Sequence, residues 1–322
     1  MAVYTEIPDN ELLQYLASYN IGEFHSLKGI AEGVENSNYL LGTDQGFFIL
    51  TLYEKRVEPK DLPFFLGLMN HLQSNGLECP KPVAKRNGDI LSELAGRPSA
   101  IITFLDGNSV RRPRVEHCQQ VGEALAQMHL AGAGFDLERE NALTVKDWRP
   151  LFDLSANRAD SVSQGLSGMI ARELDYLEKS WPDALPTGII HADLFPDNVF
   201  FLKDELSGII DFYFACNDLL AYDISVCINA WCFEPDYSFN VTKARALLSG
   251  YQSVRTLEPA ETLSLPVLCR GAALRFLLTR LYDWLNVPEG ALVVPKKPSE
   301  YIAKLRFHQS VASAEGYGID PV

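Results

Sequence analysis

The stretch His191-Ala192-Asp193-Leu194-Phe195-Pro196-Asp197-Asn198, followed by Ile209-Ile210-Asp211-Phe212, decides how this chain folds. Apolar Gly188-Ile189-Ile190 leads into it, and a short apolar run, Val199-Phe200-Phe201-Leu202, leaves it. A charged turn, Lys203-Asp204-Glu205, separates that run from a second, Leu206 to Ile210, which ends on an acid. Two short apolar runs flanking a polar turn predict the strands of a hairpin, with polar side chains presented at their mouths. Three of those side chains stand out. Asp193 and Asn198 are five residues apart on one loop, and Asp211 closes the second strand thirteen residues later.

That spacing has a chemical logic. Moving a phosphoryl group from ATP needs an oriented acceptor and divalent metal on the charged phosphates, with little covalent help from the protein. Magnesium prefers hard oxygen ligands and takes only one or two from protein. An Asn amide oxygen and an Asp carboxylate at neighbouring strand ends supply such a pair. A separate Asp then accepts the proton of the acceptor hydroxyl. Protein kinases also place a catalytic Asp and an Asn five residues apart, with a metal-binding Asp on a later strand.

HADLFPDNVFF and IIDF together resemble the catalytic segment of the aminoglycoside-phosphotransferase and choline-kinase-like branch of the protein-kinase fold, whose members phosphorylate small molecules. The continuation, Asp211 to Ser225 (DFYFACNDLLAYDIS) and Ile228 to Phe233 (INAWCF), resembles the bacterial homoserine kinase family of that superfamily. The resemblance implies an α+β, two-lobed protein-kinase-like fold. Residues 1–105 would form a small antiparallel-sheet lobe for the nucleotide, and 106–322 a larger, mainly helical lobe for catalysis and the acceptor. It further implies Asp193 as the residue that orients and deprotonates the acceptor hydroxyl, with Asn198 and Asp211 as Mg2+ ligands. ATP is the implied donor and L-homoserine the implied acceptor, in a step of threonine biosynthesis. His191 and Asp223 would support the loop, although an acid opening a helix, as Asp223 does, also favours the helix dipole without further purpose.

Composition bounds the alternatives. The chain has 322 residues, 47% of them hydrophobic, which is ample for a core. Its 28 basic and 42 acidic residues leave a net charge of -14, and no dense basic run occurs, so no nucleic-acid partner is expected. With that charge, phosphate binding must come from local donors and metal. No uninterrupted apolar stretch of about 18 residues occurs and the start is not a signal peptide, so no membrane association is expected. The six cysteines form no C-x-x-C and no metal-ligand spacing, and read as free thiols in a reducing cytoplasm.

Towards the N-terminus, residues 8 to 19 carry a helix signal, with Leu12, Leu13 and Leu16 at helical spacing. Leu27 to Leu41, then a turn at 42–46 and Phe47 to Leu52, read as strands about a glycine-bearing turn, without a G-x-G-x-x-G pattern. EGVENSNY resembles the phosphate-covering loop of the family, which implies Ser37 and Asn38 as donors. The third strand departs from protein kinases. Where they place a Lys paired with a helix Glu, this chain has Thr51, and the next helix, about Leu62 to Ser74, holds no acid. Lys55 or Arg56, just past the strand, would reach the phosphates instead, or serve as solvated turn residues. Two further strands are expected near Ile90 and over Ala100 to Phe104. The segment from Ile101 to Gly107, including Thr103, resembles the linker that holds adenine in the family.

Towards the C-terminus, Pro113 to Ala131 predicts a helix with a core-facing stripe of Val115, Cys118, Val121, Leu125 and Met128, and His129 as a structural hydrogen-bonding residue. Residues 141 to 187 read as helical. Asn229 and Trp231 line the acceptor side of the cleft or, for Trp231, the core. Residues 266 to 285 form a helix that is apolar nearly all round yet carries Arg270, Arg275 and Arg280. A buried guanidinium needs an anion. Asp283 stands at i,i+3 from Arg280. Arg270 and Arg275 have no such neighbour, so each meets an acid elsewhere in the fold or the carboxylate of an amino-acid substrate. The same chemistry would serve choline or ethanolamine, methylthioribose or an aminoglycoside, and a non-catalytic ATP-binding module stands as the alternative from another class.

Overall fold

A computed structural model describes residues 5–30, 36–54, 58–287 and 295–319. Strands β1 (Phe24–Gly29), β2 (Ser37–Thr43), β3 (Gly46–Leu52), β4 (Ser92–Leu94) and β5 (Arg97–Thr103) form one antiparallel sheet in the order β1-β2-β3-β5-β4. The two faces of this sheet do different things. Tyr39, Leu41, Leu50, Leu52 and Ile101 pack on Leu12 and Tyr15 of helix α1 (Asp9–Leu16) and on Tyr19 beyond it. Side chains alternate along a strand, so the registers Asn38↔Thr51 and Thr51↔Ala100 put those residues on the opposite face. There Ala100 joins the core of helix α2 (Leu62–Ser74) and the rest of the molecule. Asn38 and Thr51 therefore look towards the catalytic half.

The remainder is mainly helical: α3 (Val115–Ala131), α4 (Val145–Asp153), α5 (Leu166–Ser180), α6 (Leu220–Trp231), α7 (Val241–Val254), α8 (Pro259–Leu285) and α9 (Ser299–Ser310). Helix α8 starts earlier than its apolar run, because Glu258 and Glu261 form a reciprocal cap around Pro259. Its 27 residues are long and apolar enough to cross a membrane, but most of that stretch is buried among the other helices. Helices α3 and α7 meet backbone to backbone. A Cβ on Gly122 would lie 2.0 Å from the Leu247 carbonyl, and one on Gly250 2.1 Å from that of Gln119, so neither position admits a side chain.

Into this helical part are set two two-stranded sheets. β7 (Val199–Leu202) and β8 (Glu205–Ile209) are the expected hairpin, closed by Lys203 and Asp204, both at positive φ as a two-residue turn of this hand requires. The apolar lead-in before His191 is also a strand, β6 (Thr187–Ile190), and it pairs with β9 (Cys216–Leu219). That pairing brackets the catalytic stretch on both sides, and no local pattern announced β9, whose sequence Cys-Asn-Asp-Leu is half polar. All six cysteines are free and buried.

Candidate active site

Asp193 and Asn198 lie on the loop between β6 and β7, and Asp211 stands two residues past the end of β8. The loop needs bracing because Ala192 sits at φ 61°, a left-handed conformation that costs a non-glycine residue about 1–2 kcal/mol. Asp223, fully buried on the first turn of α6, supplies the brace. Its carboxylate accepts from the amides of His191 (2.7 Å) and Ala192 (2.9 Å). The His129 ring stands 3.1 Å away and is held in turn by the Tyr251 hydroxyl at 2.8 Å. Burial alone would raise the Asp223 carboxyl, but His129 and the His191 amide hold it below the usual carboxylate range, so it is an anion.

His191 turns inward rather than towards a substrate. Burial pushes its imidazole below the ordinary value, leaving the ring neutral. Nε2 carries the proton, since it faces the Ile210 carbonyl at 3.0 Å, and the ring thereby ties the loop to the residue before Asp211. The Trp231 indole donates to the Leu194 carbonyl (2.7 Å), so this buried residue holds the catalytic loop from behind. Of the two placements expected for it, the acceptor side of the cleft is overturned and the core stands. Asn229 is corrected in the same way: it is fully buried, donates to the Ser225 and Cys269 carbonyls, and meets His308 and Lys304 through its own oxygens.

The Asn198 amide nitrogen donates to the Asp193 carbonyl (2.8 Å), which fixes the side chain and leaves Oδ1 as the atom able to act as a ligand. A carbonyl partner decides this orientation, because an amide oxygen facing it would be repelled. Asp211 lies in the left-handed region at φ 66°, and caps the turn Phe212–Phe214. Aspartate tolerates that region better than most residues. Two oxygen donors of the hard type thus flank the loop. Among the described residues no cluster of three His, Cys, Asp or Glu is gathered as a metal cage.

Arg270 and Arg275 part company. Arg270 makes a bidentate pair with the buried Glu173 of α5 (2.6 and 2.7 Å) and lies 3.7 Å over the Tyr176 ring, so it is occupied within the helical layer and not by a substrate. Arg280 reaches Glu300 of α9 at 2.5 Å. Arg275, five residues along the helix from Arg270 and therefore on another face, comes to Asp193 itself at 3.6 Å. Its guanidinium lies 4.0 Å from the Phe276 ring centroid and 5.5 Å from that of Phe214. Only 5% of the residue is exposed, and among the described residues Asp193 is its only anionic contact, beyond hydrogen-bond length.

On the sheet, the Thr51 hydroxyl donates to Asn38 Oδ1 (2.8 Å), which leaves the Asn38 amide nitrogen as donor towards the catalytic half. Ser37 is the correction here. It is fully buried, donates to Glu54 (2.7 Å) and accepts from the Thr5 amide, so its hydroxyl serves the sheet rather than a phosphate. Thr103 is likewise engaged, exchanging bonds of 2.9 Å with the backbone of Lys81 through its hydroxyl and amide. Lys55 and Arg56 lie outside the described residues.

Sequence reading missed His129 as the partner of Asp223, because the two are 94 residues apart and only the fold brings them together. It missed Arg139 as well, which pairs with Asp61 across 78 residues.

Residues 26–257 match the model of the phosphotransferase enzyme family. Over 319 residues the chain is 65% identical to a homoserine kinase of Azorhizobium caulinodans, covering 99% of both chains. Over 320 residues it is 64% identical to a homoserine kinase of Brucella anthropi, covering 99% of this chain and 98% of that one. Among solved structures, an amicoumacin kinase in complex with AMP-PNP and Ca2+ superposes with a TM-score of 0.69 at 16% identity, covering 94% of this chain and 92% of that one.

Proposed function

The chain belongs to the phosphotransferase enzyme family and, within it, to the homoserine kinases, and on that premise we propose how its residues share the work. The reaction moves the γ-phosphoryl group of ATP to the side-chain hydroxyl of L-homoserine, giving O-phospho-L-homoserine and ADP. Asp193 is the catalytic base. It takes the hydroxyl proton as the acceptor oxygen bonds phosphorus and the bond to the ADP oxygen breaks. Asp223, His191, His129 and Trp231 hold the loop that carries it, as their bonds to His191, Ala192, Ile210 and Leu194 support.

The oriented Asn198 amide oxygen and the Asp211 carboxylate fit a magnesium ion, which takes few protein ligands and completes its shell with phosphate and water. Mg2+ bound there would neutralise the phosphate oxygens of ATP. Asn38, aimed by Thr51, donates to the phosphates from the sheet. The nucleotide part then spans 1–105 and the catalytic and acceptor part 106–322, a division supported by the change from sheet to helix after Thr103. The buried free thiols favour a reducing cytoplasm.

The observation that carries the substrate reading is Arg275. A guanidinium offers five N–H donors, and this one is buried beside the base with those donors largely unused among the described residues. An α-carboxylate placed on it would bring the γ-hydroxyl of a short amino acid alongside Asp193 (a bidentate Arg–carboxylate pair fixes both distance and plane). Choline and methylthioribose have no carboxylate to offer. The test is ADP release with MgATP against L-homoserine, choline, methylthioribose and kanamycin in parallel. Turnover confined to L-homoserine is expected. Turnover with another alcohol and none with L-homoserine would overturn the substrate.

A further inference from the structure

The missing Lys–Glu pair leaves a problem of assembly. In protein kinases that pair ties a helix of the small lobe to the nucleotide, so that helix, phosphates and metal-binding Asp come into place together. Here Thr51 stands on the strand and α2 has no acid along its length. Yet α2 lies directly over the turn that follows Asp211: Phe65 and Tyr213 meet edge to face at 5.5 Å, and Tyr53, just past β3, reaches Tyr213 through their hydroxyls at 3.3 Å.

Arg139 binds this corner together. Its Nε donates to Asp61, the residue before α2, at 2.9 Å, and its Nη1 donates to the Ala215 carbonyl at 3.1 Å. The guanidinium lies 5.0 Å over the Phe65 ring. Its own backbone exchanges two bonds with Asn217, donating to Oδ1 at 2.9 Å and accepting from the amide at 2.7 Å. Both partners of the ion pair are only 21% exposed. A surface ion pair kept for stability has no need to bridge three chain segments. This one spans the start of α2, the stretch after Asp211 and the loop at 139, and its planar fork suits two acceptors at once.

We propose that Arg139 is a positioning residue that fixes the Asp211 segment against α2, performing in this chain the coupling that a strand Lys and helix Glu perform in protein kinases. The inference rests on the reading of Asp211 as a metal ligand. Its consequence is that the metal site, and not the homoserine site, loosens when Arg139 is lost. Changes to groups that orient metal ligands cost roughly 10–100-fold in metal affinity.

The experiment is a titration of Mn2+ into the full-length protein with a non-hydrolysable ATP analogue, followed by electron paramagnetic resonance. It is paired with hydrogen exchange of the 211–219 amides and with the KM for L-homoserine. Arg139→Ala is expected to weaken Mn2+ binding about 10–100-fold and speed exchange in that stretch, leaving the KM for L-homoserine within about twofold. Arg139→Lys is expected not to rescue, because a point charge cannot serve both acceptors. Asp61→Asn, which preserves shape, is expected to shift Mn2+ binding in the same direction by less, and decides the matter if Arg139→Ala does not fold. Wild-type Mn2+ binding in folded Arg139→Ala or in Asp61→Asn overturns the proposal. Mn2+ binding that survives Asp211→Asn overturns the reading beneath it, and is a separate result.

Discussion

The catalytic stretch, residues 188–223, and the strands proposed to face the phosphates, residues 37–54, each aim an asparagine by occupying one end of its amide. Asn198 gives its nitrogen to the Asp193 carbonyl, and we propose that it keeps its oxygen for a cation; Asn38 gives its oxygen to Thr51, and we propose that it keeps its nitrogen for an anion. The two stretches are held in opposite ways. Around Asn198 the backbone is strained at Ala192 and Asp211, and a fully buried carboxylate, Asp223, binds two amides to maintain it. Around Asn38 the backbone is an ordinary antiparallel ladder and the bracing bond is neutral. Chemistry that handles a metal and a proton demands charges at fixed points, and a low-dielectric frame keeps them there. Covering phosphates demands only donors.

The contrast breaks most directly at Asp193. If the catalytic stretch exists to place one base, Asp193→Ala should lower kcat by about 10²- to 10⁴-fold. The fold should survive, because Asp193 is partly exposed and the loop is carried by Asp223 and Trp231 instead. Turnover is measured with L-homoserine, and the fold by thermal melting. Near wild-type turnover would remove Asp193 from the chemistry and leave the frame without a purpose.

A smaller effect is expected one contact further out. Arg275→Gln removes the guanidinium beside Asp193 and leaves a shorter, neutral side chain with two N–H donors. Loss of a charge-assisted hydrogen bond costs about 1.5–3 kcal/mol, or roughly 10- to 150-fold, and this should appear in the KM for L-homoserine with the KM for ATP unmoved. Arg270→Gln provides the internal control. Its charge is satisfied by Glu173, so its loss should lower the melting temperature and leave both KM values alone. A kcat effect of Arg275→Gln with no change in KM would make Arg275 a partner of the base alone.

These expectations also measure what the sequence makes legible. Asp193, Asn198 and Asp211 could be proposed from the sequence because phosphoryl transfer calls for those residue types at that spacing along one short stretch. The helix of 266–285 advertised three guanidinium groups in need of anions, but beyond Asp283 at i,i+3 from Arg280 its sequence does not say which acid each would meet within the fold. Glu173 and Glu300 are 97 and 20 residues away from their partners. Ser37 and Asn38 are adjacent, and a polar pair looks alike in either register. Alternation puts one in the sheet's interior and the other on the catalytic face, and a one-residue change of register would exchange them. Strand β9 was invisible for a related reason, as it is specified by its partner β6 and by Asn217 gripping residue 139, not by its own pattern.

The smallest effect tests the sheet. Thr51, read from the sequence as standing where protein kinases have a Lys, donates its hydroxyl to Asn38. Thr51→Val keeps the branched shape in a residue only 1% exposed and removes that donor, which frees the Asn38 amide to turn. A neutral hydrogen bond is worth about 0.5–1.5 kcal/mol, so the KM for ATP should rise about 2- to 12-fold, with the KM for L-homoserine unchanged. The reason for so modest a figure is that Asn38 still carries its donors and has lost only the bond that aims them. An unchanged KM for ATP would mean that backbone amides alone hold the phosphates on this side. The sheet would then differ from the catalytic stretch in kind, having no side chain whose orientation matters to the reaction.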